Sequence, residues 1–165
     1  MQNNEQFHFF FQNNNVFSQW FPATFTIDNI IFNCTEQYMM YKKAQLFKDK
    51  EIMKQILKST KPNEQKALGR KVKNFDETIW NQQARKIVYD GNYAKFTQNP
   101  ELLNQLLNTK GFTLVEASPF DKIWGIGLSA NDSRAKQRKL WKGTNWLGET
   151  LTLLRENLLN ENNNK

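Results

Sequence analysis

Between Thr35 and Pro100 the chain repeatedly restarts the same pattern, a capping residue or a proline followed by apolar side chains at helical spacing, and this punctuation leaves little room for anything but helices. Thr35 stands where an N-cap belongs, with Glu36 in the first turn behind it. A second helix is expected over 51–58 and a third from Pro62 through Val72. Asp76 opens a long fourth helix in which Trp80, Ala84, Ile87, Val88 and Gly91 keep the spacing, and Pro100 starts a short fifth. Strands are few. Thr24–Ile27 and Ile30–Phe32 flank an Asp28-Asn29 turn and read as a β-hairpin, and Gly111 precedes a strand over Phe112–Ala117. Leu147, Leu151, Leu154 and Leu158 make the stripe of a terminal amphipathic helix. The expected fold is α+β and predominantly helical, a single domain with a small antiparallel sheet from the hairpin and Phe112–Ala117. The polar ends, 1–6 and 159–165, have nothing to bury and are expected to be disordered.

Composition narrows the chemistry. Lys and Arg outnumber Asp and Glu by 23 to 16, a net charge of +7 that favours a phosphorylated or polyanionic partner. The densest basic clusters are Lys66–Lys73 and Lys136–Lys139. A single cysteine, Cys34, rules out an internal disulfide and suits a reducing compartment. A single histidine, His8, near the expected mobile end, leaves no metal cluster and removes a Ser-His-Asp triad unless that residue serves. Acid–base work therefore falls to carboxylates, Lys or Tyr. No segment is long and apolar enough to span a bilayer, and the expectation is a cytoplasmic protein without membrane, metal or cofactor.

Two stretches invite a chemical reading. On a helical wheel Glu36, Met39, Met40, Lys43 and Phe47 share one stripe, while Lys42 and Gln45 fall elsewhere. Glu36 and Lys43 lie seven residues, roughly 10 Å, apart along the axis, too far to pair with each other as i, i+4 neighbours do. Either both snorkel from the edge of the stripe, or they flank a pocket floored by the methionines, where desolvation lowers the lysine's pKa and makes it a usable nucleophile. The second stretch, Ser118-Pro-Phe-Asp-Lys-Ile-Trp-Gly-Ile-Gly127, places a carboxylate three residues ahead of a tryptophan followed by two glycines. It is either a tight turn with one buried Trp124 or backbone brought close to a planar or phosphorylated ligand.

Five ordered motifs then carry a resemblance. Phe17-Ser-Gln-Trp-Phe-Pro-Ala23, Glu36-x6-Lys43-Ala44, Ala67-Leu-Gly-Arg70, the Ser118–Gly127 run and Asn145-x-Leu-Gly148 together resemble the NADAR, or YbiA-like, family over roughly residues 7–158. Gln19 departs from the Asn more usual there. The resemblance implies an N-glycosidic bond hydrolase acting on ribose joined to a base-like amine, with two substrate sets: ADP-ribose on guanine bases of nucleic acid, which the positive charge favours, and phosphorylated pyrimidine intermediates of riboflavin synthesis. It implies Lys43 as the nucleophile forming a Schiff base at C1′, Glu36 handling protons and Asp121 as a second carboxylate, which otherwise holds a ribose hydroxyl or caps the turn. Ser18, Trp20, Gly69, Arg70, Trp124, Gly125, Gly127 and Asn145 become substrate-binding candidates: the tryptophans for stacking, the glycines for amide approach to phosphate, Arg70 for pairing with it. Direct displacement flanked by carboxylates, a silent ADP-ribose or NAD reader, and a basic nucleic-acid-binding protein with a structural Trp motif are the alternatives.

Overall fold

The helices restart where the caps and prolines stand. A computed structural model describes residues 4–165, and within them the order is β1 (Gln6–Phe10), β2 (Phe25–Ile27), β3 (Ile30–Phe32), α1 (Thr35–Leu46), α2 (Lys50–Lys58), α3 (Pro62–Gly69), α4 (Glu77–Thr97), α5 (Pro100–Leu107), β4 (Phe112–Glu116) and α6 (Trp146–Asn163), with short 3-10 turns at Ser133–Lys136 and Arg138–Leu140. The chain divides into two compact units, Gln19–Pro100, and Met1–Ser18 with Glu101–Lys165.

The unit Gln19–Pro100 is built on α1, which packs against α2, α3 and α4. Its N-cap is Cys34, with no side-chain cap bond, so the expected Thr35 cap is one residue off. The Gln19 carbonyl does the capping instead, accepting from the Thr35 hydroxyl at 3.1 Å and the Glu36 N–H at 3.0 Å. Asp49 and Asp76 cap α2 and α4 through the N–H groups of Ile52 and Ile79. Helix α3 ends at Gly69, short of Val72. A Cβ at Gly69 would lie 2.0 Å from the Met40 sulfur, and one at Gly91 would lie 2.6 Å from the Tyr38 ring. Both glycines thus let a helix approach α1 closely. The hairpin pairs Phe25 with Phe32 across a turn in which Asp28 and Asn29 have φ of 51° and 64°, the left-handed conformation of a two-residue hairpin loop. The Gln98 side chain at the end of α4 both donates to and accepts from the Thr26 backbone, at 2.8 Å each, which ties the hairpin down.

Lys95 on α4 is fully buried, its ammonium 5.0 Å and 5.7 Å from the ring centres of Phe96 and Phe21. Burial lowers its pKa to about 7, with Cys34 acting in the opposite direction. Below that value the amine is protonated in both folded and unfolded chains. Between about 7 and the ordinary 10.5 the unfolded chain alone holds the proton, so stability rises with pH across that window. Lys95→Met is expected to flatten this rise in urea melts taken from pH 7 to pH 10; an unchanged slope would assign it to other groups.

In the second unit β1 and β4 pair in parallel, Gln6 opposite Phe112 through Phe10 opposite Glu116. The expected single sheet is therefore two separate pairs, because strand Phe112–Glu116 takes the N-terminal segment as its partner and not the hairpin. Helix α6 covers β4 with Leu147, Leu151, Leu154 and Leu158, the expected stripe, all buried. Buried Arg155 donates to the carbonyls of Thr109 and Phe112, locking the turn that leads into β4. Val115, Ile126, Leu128 and Ala135 form a core flanked by Phe7, Phe9 and Trp141. Parts of both polar ends belong to elements of the fold. Glu5 pairs with Arg138, Gln6 already belongs to β1, and α6 continues through Asn163, while residues 1–3 lie outside the described residues. Among the described residues no helix is long and apolar enough to cross a membrane.

Candidate active site

Lys43 stands in the last turn of α1, half-buried, with its ammonium 4.5 Å from the centre of the Phe75 ring and 5.7 Å from that of Trp80. The two rings come together for a local reason. Phe75 precedes the Asp76 N-cap and Trp80 is the fourth residue of α4, the two positions that a hydrophobic staple joins at a helix start. Phe47, one turn beyond Lys43, meets the Phe75 ring edge-on at 5.4 Å. Glu36, two turns earlier, is only 6% exposed, as are its stripe neighbours Met39 and Met40 to within a percent. Burial lowers the Lys43 pKa; Glu36 pulls it up and Arg70 pushes it further down. The ring faces favour the ammonium and so work with Glu36. Glu36 is thus buried and Lys43 half-buried against rings, so the two tips do not both snorkel from the stripe's edge into water.

Of the remaining candidates of this unit, Arg70 acts electrostatically on Lys43 and Gly69 touches Met40. Arg70 caps α3, is exposed, and pairs with no acidic side chain among the described residues. Trp20 is half-buried with the Lys66 ammonium 5.9 Å from its ring centre. Gln19 accepts from the Asn92 amide at 2.9 Å; the longer amide in place of the family's usual Asn is held by α4. Gly69, expected to approach substrate, is accounted for by its contact with Met40.

In the other unit lie Ser18 and the Ser118–Asn145 candidates. Ser18 is half-buried, its N–H donating to Asn15. The Ser118 hydroxyl accepts from the N–H groups of Phe120 and Asp121, and one Asp121 oxygen accepts from Ile123 at 2.9 Å and Trp124 at 2.8 Å. Asp121 therefore does what the turn-capping alternative describes. Half-buried Trp124 meets Trp146 edge-to-face at 5.6 Å. A Cβ at Gly125 would sit 2.8 Å from the Glu116 carbonyl oxygen, so that glycine serves backbone packing. Gly127 has φ of 69° and its N–H donates to the Asp121 carbonyl, so this amide is engaged within the loop and not offered to phosphate.

Asn145 has a different task from the expected one. It is 0% exposed, accepting from the Glu116 N–H and donating to the Leu114 carbonyl, both at 3.0 Å. Thr152 adds a third bond, accepting from the Leu114 N–H. The Asn145-x-Leu-Gly148 motif stitches the start of α6 to the open side of β4, leaving no surface for a ligand.

Phe75 and Trp80 are the site residues that no motif singles out, and the staple spacing around Asp76 is the sequence signal for both. His8 is also not at a mobile end: it sits in β1 opposite Leu114, its ring against Phe17, and burial lowers its pKa.

The NADAR domain model matches residues 7–159. N-glycosidase R617 of Acanthamoeba polyphaga mimivirus is 45% identical over 146 residues, covering 86% of each chain. Protein irg-1 of Caenorhabditis elegans is 42% identical over 159 residues, 87% of this chain and 75% of its own. The chloroplastic riboflavin biosynthesis protein PYRR of Zea mays is 33% identical over 114 residues, 67% of this chain but 16% of the maize protein. The NMR structure of the E. coli protein YbiA matches with a TM-score of 0.78 at 25% identity, over 96% of this chain and 88% of that one. With a family model spanning almost the whole chain and relatives above 40% identity, the chain belongs to the NADAR family.

Proposed function

We propose that the chain is an N-glycosidase that removes ADP-ribose from ADP-ribosylated guanine bases of nucleic acid, with Lys43 as nucleophile and Glu36 as proton carrier. The observation that carries this reading is the Lys43 amine, half-buried against Phe75 and Trp80 on the same helix face as buried Glu36. A similarity to a protein named an N-glycosidase supports the reaction class. The net charge of +7, with Arg70 exposed and acting electrostatically on Lys43, supports the nucleic-acid substrate.

In the proposed reaction the glycosidic nitrogen's lone pair opens the ribose ring as protonated Glu36 gives its proton to the ring oxygen. Neutral Lys43 adds to C1′, its nitrogen returns a proton to the Glu36 carboxylate, Glu36 passes that proton to the base nitrogen, and the bond from C1′ to the base breaks, leaving a protonated lysine imine. Glu36 then takes a proton from water as it adds to C1′. Cleavage of the Lys43–C1′ bond releases the sugar aldehyde, which closes again. Incubation with an ADP-ribosylated guanine oligonucleotide should release free ADP-ribose, read by mass, and borohydride should fix a ribosyl adduct on the peptide carrying Lys43. Release without any adduct under rapid quenching would favour direct displacement. The PYRR similarity favours a second substrate reading, the phosphorylated pyrimidine intermediates, and release from these alone would select it.

The depressed Lys43 pKa has a kinetic consequence. Because the neutral amine attacks, kcat/KM is expected to rise with pH and to level off below the ordinary lysine value of 10.5. Arg70 contributes to that depression, so Arg70→Gln should move the rise to higher pH. A shift the other way would remove Lys43 as the group observed.

A further inference from the structure

A different face of α1 lines a second feature, lying wholly within the unit Gln19–Pro100. Tyr38 and Lys42, one turn apart, form one wall of a groove of about 450 Å³; Asp90 and Tyr93 of α4 form another, and Asp28 at the hairpin tip closes it. This volume is in the range of small-molecule sites.

The groove is built around Tyr38. Its side chain is 4% exposed, the ring held between Phe25 and Phe32 and fitted over Gly91, where a Cβ would strike it. Tyr38 lines the groove, and its hydroxyl feels the charges of Asp90 and Asp28 and hydrogen-bonds to nothing among the described residues. Burial, with Asp90 and Asp28 adding to it, pushes its pKa up to about 12, so the phenol stays neutral. The carboxylates are under-used. Asp90 is paired through one oxygen with exposed Lys86 at 2.7 Å, and no cation pairs with Asp28 among the described residues. Lys42, the cation lining the groove, instead donates to Gln45 at 2.5 Å. The hairpin wall is fixed by the two Gln98 bonds to Thr26. A recess is left with acceptors from α1, α4 and the hairpin, Tyr93 in its lining and too few donors to satisfy them.

We propose that this groove binds a small organic cation bearing N–H donors, an alkylammonium or guanidinium compound, whose nitrogens donate to the Tyr38 oxygen and the Asp28 and Asp90 carboxylates while Tyr93 faces its charge. Both hydrogen bonds to charged acceptors and the ring contact favour such a ligand over a neutral one. The site is separate from Lys43 and does not depend on its chemistry.

Calorimetric titration of the whole chain with agmatine and with putrescine is expected to show saturable binding of at least one of them, unchanged in Lys43→Ala. Tyr38→Phe keeps the ring and removes the oxygen, and should weaken binding about tenfold, as should Asp28→Asn. Lys86→Gln frees the Asp90 carboxylate and should tighten binding severalfold, a gain that misfolding cannot mimic. Tetramethylammonium, which carries charge without N–H donors, should bind at least about tenfold more weakly. Absence of binding of both amines at millimolar concentration, wild-type affinity in Tyr38→Phe, or equal binding of tetramethylammonium would each overturn the assignment.

Discussion

Replacing Lys43 by alanine is expected to lower kcat by a factor of ~10³ or more, because it removes a covalent partner and not merely a contact. The fold should survive. The ammonium contributes only ring contacts there, about 1 kcal/mol at a partly exposed position, and α1 is held by Tyr38, Met39, Met40 and Ala44, none of which is touched. Lys43→Arg separates two roles for the charge. A guanidinium keeps the positive charge near Glu36 but cannot act as a neutral amine at ordinary pH, so it should be as inactive as alanine. Lys54→Ala, on the exposed side of α2, is the control and should keep full activity. Retention of more than about a tenth of the rate in Lys43→Arg would recast Lys43 as a charge that holds phosphate, and full activity in Lys43→Ala would discard it altogether.

Gly148→Ala is expected to cost roughly 4 kcal/mol or more, among the larger losses a single methyl group can cause. A Cβ there would stand 2.1 Å from the Leu114 carbonyl oxygen and 2.4 Å from Asn145 Oδ1, both fixed by hydrogen bonds and neither able to swing aside. For a chain of this size the melting temperature should fall by about 10 °C. Gly111→Ala offers the contrast: its φ is 93°, but nothing lies within 4 Å of an added Cβ, so only the backbone conformation is penalised. That loss should be about 1 kcal/mol. If the two variants melt within a degree or two of each other, the close approach of α6 to β4 does not carry the stability assigned to it.

What could be read in advance was local. The Asp28-Asn29 turn, the Asp76 cap, Pro62 and Pro100 each act through neighbours a few residues away, and each element stands where those residues put it. What escaped was set by distant partners. Gln6–Phe10 shows no period that names Phe112–Glu116, more than a hundred residues on, as its parallel neighbour, so the hairpin is legible while the partner of Phe112–Glu116 is not. The N-terminus of α1 is capped by a carbonyl sixteen residues upstream, which no capping pattern encodes. The same division holds for the site. The Glu36 and Lys43 stripe was legible because helical periodicity alone places it, whereas the Asn145 motif looked like ligand chemistry until its two partners on β4 were visible. Short polar motifs beside glycines serve a backbone as readily as a phosphate.

The paired bonds between Gln98 and Thr26 bear on how this chain behaves among its own copies. A two-stranded ladder leaves backbone groups pointing outward, and such an edge is a template on which another molecule's strand can add and aggregation can begin. At Thr26 the outward N–H and C=O are both taken by a side-chain amide that presents the same donor and acceptor as a peptide unit. Intermolecular growth from β2 must first displace it, even though Ile31 on the neighbouring strand is 68% exposed. Gln98 thus covers the free edge of β2 from the end of a helix and not from within the strand.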